Sequence, residues 1–129
     1  MRRLRADDAP SKVGCLVADT GNLDAVRGVC DELADRHEAI HALIHNFGAL
    51  DKEYAASPQG IERTVAGQVV GPFVMTGLLL PLLRSRPGSR VLGVSWGGMY
   101  TQPLSVTALA SGPDGSRARS RTRGLNARR

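Results

Sequence analysis

The sequence has little that would tie it to an oxidising compartment. Its two cysteines, Cys15 and Cys30, are too few for a disulfide framework, so a reducing, cytoplasmic setting is expected. No charged-then-apolar leader with a small-residue cleavage site opens the chain, which argues against secretion. Lysine is nearly missing, with Lys12 and Lys52 the only two, and aromatics number one Trp, two Tyr and two Phe. The body also lacks net charge. Residues 1–111 carry eleven Lys/Arg against eleven Asp/Glu, and the whole excess of +5 sits in the last eighteen residues. That excludes a basic globular nucleic-acid binder.

What remains is 129 residues and 13.7 kDa, one small domain or part of a larger one, with 42% hydrophobic residues to build a core. Val13-Gly14-Cys15-Leu16-Val17-Ala18 is a short apolar run that reads as a strand buried on both faces. Asp19-Thr20-Gly21-Asn22 is turn chemistry with capping candidates. Leu23, Val26, Val29, Cys30 and Leu33 recur at helical spacing and predict an amphipathic helix to about Arg36. Ala42-Leu43-Ile44 predicts a second buried strand. A long apolar helix is expected from about Gln59 to Leu83, bent at Pro72, and a third strand over Val91–Ser95. The order β-α-β-α-β with such apolar strands calls for an α/β fold built on a parallel sheet. From Ser111 onward Gly, Ser, Arg and Pro dominate. The chain therefore divides into a domain at 1–110 and a basic tail at 111–129, expected to be disordered.

Four features carry candidate chemistry. Gly93-Val94-Ser95-Trp96-Gly97 matches the G-x-S-x-G elbow, which would make Ser95 a nucleophile. A hydrolase of that kind needs its acid and histidine after the serine, whereas His37, His41 and His45 all precede it. Those histidines fall at i, i+4, i+8, yet the strand 42–44 separates His45 from the helix of His37, so no metal site is expected. Val65 to Leu83 runs without a charge and contains Gly67-x-x-x-Gly71, a helix-packing pattern long enough to cross a bilayer. Gln68, Pro72, Thr76 and Pro81 interrupt it, so a helix buried between a sheet and a partner subunit is expected in place of a membrane span. The tail, with arginines at 117, 119, 121 and 123, has no interleaved aromatic for base stacking, and no specific nucleic-acid partner is expected.

Three motifs in order resemble the short-chain dehydrogenase/reductase family, on its retinol-dehydrogenase-like branch, over about residues 13–109. They are Leu43-Ile44-His45-Asn46-Phe47-Gly48-Ala49-Leu50, the run from Gly71-Pro72-Phe73 to Pro81-Leu82-Leu83, and Arg90-Val91-Leu92-Gly93-Val94-Ser95-Trp96-Gly97-Gly98-Met99. The resemblance implies a partial Rossmann-like domain and hydride transfer with NAD or NADP as cofactor. It places Asp19 near the adenine and Asn46, Gly48 and Ala49 in the turn that lies against the cofactor. The long 59–83 helix would join subunits into a homo-oligomer. The strand at 13–18 would be the family's third, and the first two would lie upstream of it.

The departures are specific. The family's glycine-rich phosphate loop has no counterpart, since no Gly-x-Gly occurs among the fifteen glycines. Phe47 stands where the turn normally has a small residue, Gln68 where the catalytic Asn is expected, and Trp96 where the carbonyl-binding Ser is expected, with Ser95 beside it. The Tyr-x-x-x-Lys pair that passes a proton to substrate is absent, because Tyr54 is followed at that offset by Pro58 and Tyr100 by Leu104. The expectation is therefore an NAD(P)-dependent oxidoreductase by family that is inactive alone, as from a truncated or frame-shifted reading of a longer gene. The alternative is a non-catalytic module that self-associates through its apolar helix and open sheet edge.

Overall fold

A computed structural model describes residues 14–49, 53–95 and Val106. The elements run α1 (Leu23–Arg36), β1 (Ala42–His45), α2 (Arg63–Val65), a π-helical turn (Ala66–Val70), α3 (Gly71–Leu78), α4 (Leu80–Arg84) and β2 (Arg90–Gly93). β1 and β2 pair in parallel, Ala42 with Arg90 through His45 with Gly93. The fold is mixed α/β with the helices crossing between parallel strands, as the sequence pattern predicts.

Local chemistry explains the element ends. Asn22 caps α1, its side chain accepting from the N–H groups of Asp24 and Ala25 at 3.1 and 3.4 Å. Glu62 does the same for α2, accepting from Thr64 and Val65 at 3.1 and 2.9 Å. The helical stretch starts at Arg63, four residues later than the periodicity predicts, because residues 57–60 form a turn: Gly60 donates to the Ser57 carbonyl at 2.9 Å and has φ +76°. Pro72 has no N–H to give to the Gln68 carbonyl, and the chain widens there into the π turn, closed by Gly71 N–H donating to Ala66.

The core is small. Val26 and Cys30 of α1 meet Leu79 and Leu83, with Leu33, Ile40, Leu43, Val74, Met75 and Leu82 packed around them. Fully burying each such aliphatic side chain stabilises the fold by about 1.5–3 kcal/mol. The connection from α1 to β1 is fastened by polar bonds: Ile40 N–H donates to Leu82 at 3.0 Å, and the Ser89 hydroxyl donates to Ile40 at 2.8 Å.

Three expectations are corrected. Residues 14–18 form no strand, although the sequence reads as one from Val13. A doubly wound sheet is ordered 3-2-1-4-5-6, so its third strand bonds to the second, while the fourth and fifth are neighbours. On the resemblance above, β1 and β2 would correspond to that neighbouring pair. The stretch 14–18 has no ladder partner among the described residues, and Val17 stands 92% exposed. The strands are also not buried on both faces. Leu43 and His45 turn toward the helices, whereas Ile44 and its register partner Leu92 are exposed on the side no described element covers, and Val91, beside Leu43, is half-exposed as well. Finally, the expected single helix over 59–83 is four consecutive pieces, and among the described residues no helix is long and apolar enough to cross a membrane. The 111–129 tail lies outside the described residues.

Candidate functional site

Three stretches distant in sequence, around residues 19–21, 47–49 and 63–68, border one open cleft of about 200 Å³. Glycines set how close its walls approach. Gly21 is buried, and its N–H donates to Asp19 Oδ1 at 2.8 Å, fixing the turn before α1. A Cβ on Gly71 would lie 2.2 Å from the Thr20 carbonyl oxygen, and one on Gly67 would lie 3.4 Å from Thr20 Oγ1. The Gly67-x-x-x-Gly71 pattern therefore seats the Thr20-Gly21 turn against the helix, a packing motif whose partner is a turn.

On the opposite wall, Phe47, Gly48 and Ala49 follow β1. Gln68, on the π turn, donates through Nε2 to the Ala49 carbonyl and ties this wall to the helix. An acid, Asp19, and a base, Arg63, both border the opening. Behind the wall, His45 Nε2 lies 2.8 Å from Thr76 Oγ1, whose hydroxyl in turn donates to the Pro72 carbonyl at 2.8 Å. Burial lowers the proton affinity of His45 below the ordinary imidazole range. The His45 and Phe47 rings meet edge to face at 5.8 Å.

Of the residues singled out in the sequence, Asp19, Gly48, Ala49 and Gln68 come together around this cleft. Asn46 is exposed and falls outside its lining. Ser95 is exposed two residues beyond β2 and Trp96 lies outside the described residues. The histidine in register with the end of β2 is His45, and its Nε2 is held by Thr76. Among the described residues no three His, Cys, Asp or Glu side chains converge as metal ligands. Sequence reasoning read Thr20 only as part of a turn, and passed over Arg63, Thr64 and the wall-setting role of Gly67. Only the glycine spacing signalled any of this, and it did not reveal what the glycines pack against.

No family model matches the chain. Among curated proteins it is 35% identical over 77 residues to mouse Retinol dehydrogenase 14, covering 60% of this chain and 23% of that protein. It is 27% identical over 118 residues to human Dehydrogenase/reductase SDR family member 12, covering 81% of this chain and 37% of that protein. Mouse Polyprenol dehydrogenase matches at 29% over 110 residues, 82% of this chain and 33% of that protein. The chain is related to the retinol-dehydrogenase-like short-chain dehydrogenases/reductases. It spans between about a quarter and a third of the length of most of these oxidoreductase relatives. The cleft lies at the carboxyl end of β1, where open α/β sheets bind ligands.

Proposed function

We propose that the cleft receives the nucleoside side of NAD or NADP, and that this chain is the corresponding part of an NAD(P)-dependent oxidoreductase. The carrying observation is the convergence of Asp19, the 47–49 turn and the Gln68 helix on one opening. The residues present fit the adenosine portion: a carboxylate at Asp19 to accept from an exocyclic amine, bare backbone at Gly48, and no side chain at Gly67. When bound, the nicotinamide cofactor would supply the hydride-transfer chemistry. This chain's own residues would bind and orient. They offer no glycine-rich cradle for the diphosphate and no Tyr-x-x-x-Lys pair to move a proton, so the chain alone would not turn over substrate. Nicotinamide fluorescence titration tests the reading. Saturable binding with Kd near 1 mM or tighter, about 4 kcal/mol, is expected. No binding at millimolar cofactor would end it.

A second reading, self-association, is favoured by one observation. Phe73 is 80% exposed and Val69, one helical turn before it, is 52% exposed, an apolar stripe on the outer side of the helical stretch. A second copy of the chain would cover that stripe. Sizing chromatography giving a monodisperse monomer would rule this out.

A further inference from the structure

We propose that His45 is a proton-operated latch: neutral, it fastens β1 to α3 through Thr76, and on taking a proton it releases the 46–49 turn that walls the cleft. The hydrogen-bond directions fix its resting form. The Thr76 hydroxyl spends its proton on the Pro72 carbonyl, so Thr76 Oγ1 offers His45 only lone pairs, and Nε2 must donate. The proton on Nε2 leaves Nδ1 bare. That atom is buried and has no hydrogen-bond partner among the described residues. A lone pair tolerates this position; a second N–H would be a buried donor with nothing to accept it.

Among the described residues of the elements packed on His45, no charge compensates. α3, whose sequence is GPFVMTGL, carries no titratable side chain. The one charge on β2, Arg90, pairs in register with Ala42 at the far end of the sheet and donates to the Gly88 carbonyl. β1 itself, Ala42–His45, holds no other ionisable group, and the Phe47 ring that meets His45 carries no charge. Burial of the ring acts against the charged form. A protonated ring must therefore leave its seat. The turn that starts at Asn46 is covalently the next residue, and Phe47 packs on the ring, so the cleft wall moves with it.

The sign follows from proton counting. With the native His45 below its unfolded value of 6.5, the open form binds more protons across the interval beneath 6.5. The latched state is thus at full strength above about pH 6.5 and weakens as pH falls below it. The test uses the intact, isotope-labelled chain. Long-range ¹H–¹⁵N correlation of the His45 ring should show the Nε2–H tautomer at neutral pH. Amide exchange at 46–49, corrected for its intrinsic pH dependence, should be faster at about pH 5 than at about pH 7.5. In His45→Gln, which keeps a donor for Thr76 and cannot titrate, that difference should vanish. An Nδ1–H tautomer, ring titration at or above 6.5, or pH-indifferent exchange in the parent chain would each overturn the proposal, whether or not the variant folds. The same pH response in a folded His45→Gln would overturn it too.

Discussion

Replacing Gly71 by alanine tests the packing that shapes the cleft. An ideal Cβ there would stand 2.2 Å from the Thr20 carbonyl oxygen and 3.2 Å from that of Ala66. Both are backbone atoms, so no rotamer change relieves the clash, and α3 and the 19–22 turn must separate by about 1 Å. Overpacking of that kind destabilises by about 1–3 kcal/mol. Alanine returns up to about 1 kcal/mol through helix propensity, which leaves a net loss of about 1–2 kcal/mol. For a domain of this size each kcal/mol moves Tm by about 4–8 °C. Gly77→Ala is the internal control. It is on the same helix with nothing within 4 Å of the added methyl, and should stabilise by about 0.5–1 kcal/mol. Thermal and urea unfolding followed by circular dichroism give both numbers. Opposite signs are required; a Gly71→Ala chain as stable as its parent, or a destabilised Gly77→Ala, would refute the assignment of Gly71 as the contact between helix and turn.

Asn22→Ala removes the one side-chain oxygen that accepts both N–H groups at the start of α1 and should cost about 1 kcal/mol in urea unfolding. Leu79→Ala empties the centre of the core, where the side chain is fully buried, with a loss of about 2–5 kcal/mol. Iodoacetamide should alkylate exposed Cys15 in the native chain, whereas Cys30, whose thiol burial and nearby Asp31 keep protonated, should react only after unfolding; mass spectrometry of the peptides reads the order.

The legible parts of the fold were those written in local chemistry. The spacing of Leu23, Val26, Cys30 and Leu33 after the capping candidates at 19–22 locates α1, and the short apolar runs at 42–44 and 91–95 mark both strands, the second ending two residues earlier than read. What the sequence could not convey was pairing. A run such as 13–18 looks the same whether or not a neighbour exists to complete its ladder, and apolar strands look buried whether or not a second layer covers them. The cleft was half legible in the same sense. Asp19, Gly48 and Ala49 stand at motif positions, but Arg63 and Thr64 reach it only because the chain turns at Gly60 and Glu62 before the helix begins. Gln68 reads as a substituted catalytic position. Its contact with Ala49 depends on the widened helical turn that Pro72 imposes, which no spacing rule announces.

The parallel pairing of β1 with β2 has a kinetic corollary. No tight hairpin can bring these strands together, because every residue of α2, α3 and α4 lies between them and must be gathered first. Closing that span loses chain entropy before any ladder bond forms, so helical signal should precede sheet formation when the chain refolds from urea. Until the ladder closes, the backbone donors and acceptors of Ala42–His45 are open on both sides, and the interval before closure is when the polypeptide is most prone to stick to its neighbours.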